Sequence, residues 1–213
     1  MKKFTLPLLC LLPLFSIAQL SIGLRAGVNV SNIHINEPSD FNEEIDGNYH
    51  YRTGVDLGIN ATWQTSEHFR VQSGLIYSRK GTSIDISPDS NEPNNKFDLH
   101  YLAIPLVAQY KILGPLWLSG GMEARYLLSA IGKYPMDEVT ITDIWTRADL
   151  GLNAGITWQV AANLQLNIEY QYGLVNVGKK TTYTDSNGDP LSKQPKTTNR
   201  SIALTLGYAF LRS

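Results

Sequence analysis

The sequence NLQLNIEYQYG, residues 163–173, decides the fold, because polar and apolar side chains alternate along it without a break. The apolar positions are Leu164, Leu166, Ile168, Tyr170 and Tyr172, and the polar ones are Asn163, Gln165, Asn167, Glu169 and Gln171. Side chains on a β-strand point alternately to opposite faces, so this stretch predicts a strand with one apolar and one polar face. A half-buried strand of a soluble sandwich has the same pattern. The rest of the chain must therefore decide which kind of β-protein contains this strand.

The same alternation recurs in seven further segments of the chain. They are residues 22–31, 51–63, 68–80, 98–112, 116–129, 144–158 and 200–211. Together with residues 163–173 they predict an all-β fold of eight antiparallel strands. An even number of strands is what bacterial transmembrane β-barrels have.

The polar face of these strands is rich in charge and glycine. In residues 51–63, Val55, Leu57, Ile59, Ala61 and Trp63 alternate with Gly54, Asp56, Gly58, Asn60 and Thr62. A soluble barrel carries its charges on the outer surface around an apolar core. The glycines and arginines of the polar face instead favour a barrel with lipid outside and a polar filling inside.

The connections between the predicted strands alternate in length. Short turns fall at residues 64–67, 113–115 and 159–162, and long polar loops at residues 32–50, 81–97, 130–143 and 177–199. Outer-membrane barrels have short periplasmic turns and long extracellular loops. A soluble lipocalin-type barrel is the alternative, but it has no reason to sort its loops by length in this way.

Aromatic residues on the apolar face fall near the ends of the strands. Trp63, Tyr110, Trp158 and Phe210 lie near the short turns, and Tyr51, Tyr77, Tyr126 and Tyr172 lie near the long loops. Amphipathic rings concentrate at the two interfaces between lipid and water. The two sets therefore predict two aromatic girdles.

The N-terminus reads as a secretory signal peptide spanning residues 1–18, followed by one barrel domain over residues 19–213. Lys2 and Lys3 precede an apolar run at residues 6–15, and Ser-Ile-Ala at residues 16–18 fits a cleavage site. The apolar run is shorter than the roughly 20 residues of a membrane-spanning helix. We therefore expect export to the outer membrane of a Gram-negative bacterium.

Composition excludes several classes of function. Cys10 is the only cysteine and lies in the predicted signal peptide, so we expect no disulfide and no thiol chemistry in the mature chain. Leu9 is not small, which argues against a lipoprotein signal. Without Lys2 and Lys3 the chain has 16 basic and 19 acidic residues, so no basic face for nucleic acid is expected.

Four short phrases resemble the PorT-like outer-membrane β-barrel family. They are GVNVSN at residues 27–32, LIYSRKG at 75–81, YLAIPL at 101–106 and YQYGL at 170–174. The resemblance runs over residues 22–210 and implies a small porin-like outer-membrane barrel with no assigned activity. It also implies a link to a protein secretion system as an alternative role. Gly74 and Ala103 stand where inward acidic residues are common in that family, so no shared acidic lumen site is implied.

Charged residues of the polar face predict a network inside the barrel. They are Arg25, Arg70, Arg125 and Arg147 against Asp56, Glu123, Asp149 and Glu169. The interior of an eight-stranded barrel is just wide enough for side chains to fill it. Since buried charges need partners, the network predicts a salt-bridged plug, with an ion pathway or a ligand site as the alternative.

No residue pattern indicates catalysis, a cofactor or a metal. His34 and His50 fall in the first predicted loop, His68 in a turn and His100 at the outer rim, without metal-binding spacing. His100 near Asp98 is a weak indication of a lipid-modifying enzyme, but no serine stands at a matching position. The segment DSNGD at residues 185–189 resembles a calcium loop but lacks the twelfth-position glutamate, so we expect a plain turn.

The sequence therefore favours a non-enzymatic, monomeric barrel in contact with outer-membrane lipid. Its predicted role is that of a structural or interaction protein whose long loops contact extracellular or envelope proteins. A narrow porin or transporter for small solutes is the alternative.

Overall fold

Nine antiparallel strands and one short helical turn make up the described part of the chain, residues 19–36, 49–84, 95–179 and 196–212 of a computed structural model. The strands are β1 Gln19–Asn36, β2 Tyr49–Gln64, β3 Phe69–Ile84, β4 Asn95–Leu113, β5 Leu116–Lys133, β6 Glu138–Thr140, β7 Ala148–Ala161, β8 Leu164–Gly173 and β9 Lys196–Arg212. The turn is a 3₁₀ helix at Thr142–Ile144. The predicted signal peptide lies outside the described residues.

Eight of these strands close into a ring, as the sequence predicts. Each pairs with its neighbour along the chain, β5 pairs directly with β7, and β9 returns to pair with β1 over Ser21–Asn36. The three residues of β6 add only to the outer end of β5, at Ile131–Lys133. A closed ring leaves no strand edge without a hydrogen-bonding partner.

The strands reach further outward than the alternation predicts. β1 continues to Asn36 and β4 begins at Asn95, so parts of the predicted loops 32–50 and 81–97 are strand. The predicted loop 130–143 likewise contains the end of β5 and all of β6. Ladder hydrogen bonds between neighbouring strands continue the sheet here although the sequence has turned polar.

The sixth predicted strand, residues 144–158, begins too early. β7 starts at Ala148, because the chain before it turns instead of extending. The amides of Ile144 and Trp145 bond to the carbonyls of Ile141 and Thr142, at 3.3 and 3.2 Å. These local bonds satisfy the backbone without a strand partner.

The wall of the ring is apolar outside and polar inside. Leu106 on β4 is 61% exposed, whereas Asn167 on β8 is fully buried. A water-soluble protein buries apolar side chains and exposes polar ones, so this wall is suited to lipid outside. Among the described residues, no helix is both long and apolar enough to cross a membrane.

Candidate functional site in the barrel interior

The residues of the predicted girdles all lie on the outer face of the wall. Six of them are exposed, namely Tyr51, Tyr110, Tyr126, Trp158, Tyr172 and Phe210, while Trp63 and Tyr77 are half-buried. Tyr77, Leu102 and Tyr126 are side by side on β3, β4 and β5, which forms a continuous row near the outer end. Tyr208, also exposed on this face, was not among the predicted girdle residues.

Arg25 and Glu169, two members of the predicted network, form an ion pair inside the barrel. Nη2 and Nη1 of Arg25 donate to the two carboxylate oxygens of Glu169, at 2.5 and 3.3 Å. The pair joins β1 to β8 over β9, whose residues facing these two are the small Gly207 and Ala203. A two-pronged contact between a guanidinium and a carboxylate fixes geometry as well as charge.

Arg125 lies between two carboxylates of the predicted network. Its Nε is 3.2 Å from Glu123 Oε1, and its Nη1 is 3.1 Å from Asp149 Oδ2. Amides complete the cluster, since Asn153 donates to Glu123 at 3.3 Å and Asn199 to Asp149 at 2.9 Å. All of these side chains are buried, so the charges are held by one another and by amides rather than by bulk water.

Asp56 is buried in the interior, but its hydrogen-bonding partners are neutral side chains. Asn29 Nδ2 and the Ser78 hydroxyl donate to its Oδ1, at 2.9 and 2.6 Å. Among the ion pairs of the described residues, none includes Asp56. Its predicted pairing with an arginine is therefore wrong for direct contact.

Arg147 does not join the predicted network. It lies one residue before β7, is exposed, and places its guanidinium carbon 6.0 Å from the outward ring of Tyr126. The prediction fails because residues 144–147 are not strand, so period-two counting does not apply to them.

Lys80, which is not in the predicted network, is a buried cation of the interior. It is buried on β3, donates to the side-chain oxygen of Gln171 on β8, and contacts the Ser201 hydroxyl on β9 at 3.1 Å. Lys80 shares the parity of Arg70, which could have identified it, but it stands at the very end of the predicted strand. Among the described residues, four cations are therefore buried, with Lys80 among them and Arg147 not, together with the four predicted carboxylates and Asp98 near the outer end.

Hydrogen bonds cross the lumen between distant strands. Lys80 connects β3 to β8 and β9, and Asn199 on β9 donates to the Tyr101 hydroxyl on β4 at 3.0 Å. Both connections span strands that are not neighbours in the ring. They fill the narrow interior with ordered side chains.

A buried apolar cluster lies at the outer end of the lumen. It comprises Ile33, Leu99, Tyr101, Leu127 and Ala130, with Ile141 and Trp145 packed against it. Its members come from β1, β4 and β5, and β1 and β5 lie on opposite walls of the ring. We call this set the outer cap.

The loop segments beside the outer cap are held by backbone hydrogen bonds. The Thr146 amide donates to Val177 at 2.8 Å, and the Val177 amide donates to Thr197 at 2.9 Å. Val177 is fully buried. An ion-pair cluster at the same end joins Arg52 to Asp98 at 2.7 Å and Asp98 to Lys133 at 3.8 Å. The outer cap and these contacts pack together the described residues at the end of the barrel that bears the long loops.

The inner end, by contrast, holds a cavity of about 480 Å³ beside the short turns. Arg70, the remaining member of the predicted network, lies in its wall with its guanidinium 4.1 Å from the ring centre of Trp117. It donates to Gln109, to Gln159 at 2.9 Å and to Gln165 at 3.4 Å. Arg70 therefore pairs with no acidic residue of the network.

The histidines do not form a site in the described residues. His34 and His50 lie on β1 and β2 rather than in the predicted loop. His100 Nδ1 is 2.6 Å from the Tyr77 hydroxyl on the outer face, while Asp98 is bound to Arg52. Within the described ranges, no three His, Cys, Asp or Glu residues are grouped as a metal site would require. Residues 185–189 lie outside those ranges.

Known proteins resemble this chain in fold. Residues 15–179 match the family model of the outer membrane protein beta-barrel domain. No curated protein sequence matches the chain. The solved structure of Neisserial surface protein A superposes with a TM-score of 0.54 at 13% identity, over 90% of this chain and 99% of that one.

Two further solved barrels are similar at lower scores. Ail of Yersinia pestis has a TM-score of 0.48 and 16% identity, over 91% of this chain and 99% of that one. OprG of Pseudomonas aeruginosa has a TM-score of 0.44 and 14% identity, over 91% of this chain and 96% of that one. At such identities the likeness concerns the fold alone.

Proposed function

We propose that this chain, which belongs to the outer membrane protein beta-barrel domain family, is a structural or interaction protein that works through its extracellular loops. It resides in the outer membrane of a Gram-negative bacterium. The observation that carries the proposal is the outer cap, which brings buried side chains from opposite walls together at the end that bears the long loops. In a barrel that no solute can pass through, the loops are the surface that can contact other molecules.

Two layers of contacts support the closed lumen. The outer cap brings apolar side chains from opposite walls together, and Tyr101 within it also accepts the hydrogen bond from Asn199. Below it, Arg125 and its carboxylates occupy the interior. Water and ions would have to displace both layers, and displacing a paired buried charge is costly.

The loops supply the surface that the proposal needs. Residues 36–48 and 88–95 are acidic and polar in sequence, and the strands carry their attachment points outward to Asn36 and Asn95. The partners that fit are extracellular or envelope proteins with a complementary, basic surface. The barrel itself then serves as a monomeric anchor in the lipid.

A narrow porin or transporter is the second candidate, because the inner cavity is open to small solutes up to Arg70. A role in a protein secretion system rests on the PorT-like sequence resemblance. We propose no catalytic role, since within the described residues His100 contacts the Tyr77 hydroxyl and no serine stands at a matching position for a base and a nucleophile.

Conductance in planar lipid bilayers tests the closed lumen. The wild-type protein should give no stable channel current. Glu169→Ala should destabilise the barrel, because stranding one partner of a buried ion pair costs about 3–5 kcal/mol, less where lumen water reaches the charge. It should still open no channel, because the remaining side chains fill the interior.

The matched control is Glu138→Ala, which removes a carboxylate from an exposed ion pair with Lys133. An exposed pair contributes about 0–1 kcal/mol, so urea unfolding should hardly change. If Glu169→Ala keeps wild-type stability and gives a defined, ion-selective current, the transporter replaces the interaction protein. If the interaction proposal stands, proteins that co-purify with the wild-type barrel from native outer membranes identify its partner.

A further inference from the structure

The inner cavity carries positive charge without a matching negative charge. We call it the inner vestibule; Arg70, Lys111 and Arg212 are among the residues that line it, together with Trp117 and several glutamines. None of the described residues in its wall is aspartate or glutamate. None of the three cations belongs to an ion pair among the described residues.

Arg70 is the buried part of this charge. Its side chain stacks on Trp117, and its hydrogen-bond donors are directed to the carbonyl oxygens of Gln109, Gln159 and Gln165. These partners accept one hydrogen bond from each of its three nitrogens but are neutral, so its charge stays uncompensated. A buried, uncompensated charge attracts a counter-ion into the cavity beside it.

Lys111 and Arg212 place further charge at the mouth. The Lys111 ammonium lies 6.0 Å from the centre of the same Trp117 ring. Arg212 is exposed and donates to the Ala162 carbonyl at 3.3 Å, which holds it beside the short turn between β7 and β8. Both side chains retain donors for direct contact with an anion, whereas the fork of Arg70 is occupied.

From this arrangement we propose that the inner vestibule binds small molecules that bear a phosphate monoester. Three cations without carboxylates favour a ligand with two negative charges over one with a single charge. Ammonium and guanidinium groups form charge-assisted hydrogen bonds to phosphate oxygens. A volume of about 480 Å³ is within the size of small-molecule pockets, and the amides of Gln19 and Gln64 in the wall can bind hydroxyl groups of the same ligand. The site faces the periplasm and is independent of the loop function.

Isothermal titration calorimetry on the mature protein in uncharged detergent micelles tests the site. Glucose 6-phosphate, a sugar with a dianionic group, should bind saturably at low salt and more weakly as salt increases. Glucose, which lacks the charge, should give no saturable heat. Gluconate, with one negative charge, should bind more weakly than glucose 6-phosphate.

Two double variants separate this site from general charge attraction. Lys111→Gln with Arg212→Gln should raise the Kd for glucose 6-phosphate about tenfold or more, because both direct charged donors are lost. Lys179→Gln with Lys196→Gln removes the same charge at the outer end, where both residues are exposed, and should leave the Kd unchanged. Gel migration without boiling checks that both variants are folded barrels.

Three results would overturn the proposal. One is the absence of saturable binding of glucose 6-phosphate to the folded wild-type barrel. Another is equal loss of binding in the two double variants, which would indicate nonspecific attraction. The third is gluconate binding as tightly as glucose 6-phosphate, which would remove the preference for a dianion.

Discussion

Residue 151 is glycine, and the absence of a Cβ atom there leaves space for the side chain of Arg125. A Cβ atom on Gly151 would lie 1.9 Å from Nη2 of Arg125 and 3.0 Å from the Tyr172 carbonyl oxygen. The guanidinium contacts Glu123 and Asp149 from that position. At the scale of single residues, the polar filling therefore depends on where glycine leaves space as well as on where charges stand.

We expect Gly151→Ala to destabilise the barrel. The added methyl group must displace Arg125 from its carboxylates or shift the strand, and overpacking of this kind costs about 1–3 kcal/mol. Urea unfolding in micelles, followed by tryptophan fluorescence, measures the loss. Gly120→Ala is the matched control on β5, because its Cβ would meet no atom closer than 4.0 Å. Equal stability of the two variants would show that Arg125 has another position available.

At the scale of the element, each strand separates an apolar face directed to lipid from a polar face directed to the lumen. On β2, Ile59 is exposed on the outer face, while its neighbour Asn60 is buried and lines the inner vestibule. On β7, Leu152 is likewise exposed on the outer face and Asn153 is buried in the interior. A shift of one residue in register would turn every apolar side chain inward, so lipid and lumen together determine the register.

Arginine substitutions on one strand test that partition. Ile59→Arg should reduce folding into lipid vesicles strongly, since arginine on the lipid face costs about 2–4 kcal/mol at the membrane midplane. Asn60→Arg should be tolerated much better, because the new side chain can extend into the vestibule. The folded fraction is measured from the gel shift between unboiled and boiled samples. Equal tolerance at both positions would reverse the assignment of inside and outside.

At the scale of the whole molecule, closure of the ring replaces the apolar core of a soluble domain. Every ring strand has two partners, and the pairing of β1 with β9 extends over its whole outer half, up to Asn36 opposite Lys196. In lipid, where backbone groups find no water, this closure satisfies them internally. The described chain therefore derives its cohesion from a continuous ladder around a polar filling.

The closed ladder predicts a heat-modifiable protein. Mature protein should fractionate with outer membranes and run as a compact band without boiling, because the ladder resists detergent until it is heated. After boiling the band should shift to the position of the unfolded chain. Recovery as a soluble periplasmic monomer without detergent would contradict the membrane barrel.

Period-two alternation alone determined the wall of this protein. Leu24 and Ala26 on one face and Arg25 on the other could be assigned from the sequence, because a strand inverts side-chain direction at every residue. The closed eight-stranded ring followed from repetition of this pattern. The pattern did not predict the outer ends of several strands, since ladder hydrogen bonds extend a sheet into polar sequence, nor β6 and the turn before β7.

Only the tertiary structure decided which polar groups meet. Arg25 and Glu169 are 144 positions apart, and nothing local indicates that ring closure brings them together. The same closure gave Lys80 its partners Gln171 and Ser201 on distant strands, and gave Arg70 glutamines instead of carboxylates as partners. The direction of a side chain is a local property of the strand, whereas its partners depend on the shear and curvature of the whole barrel.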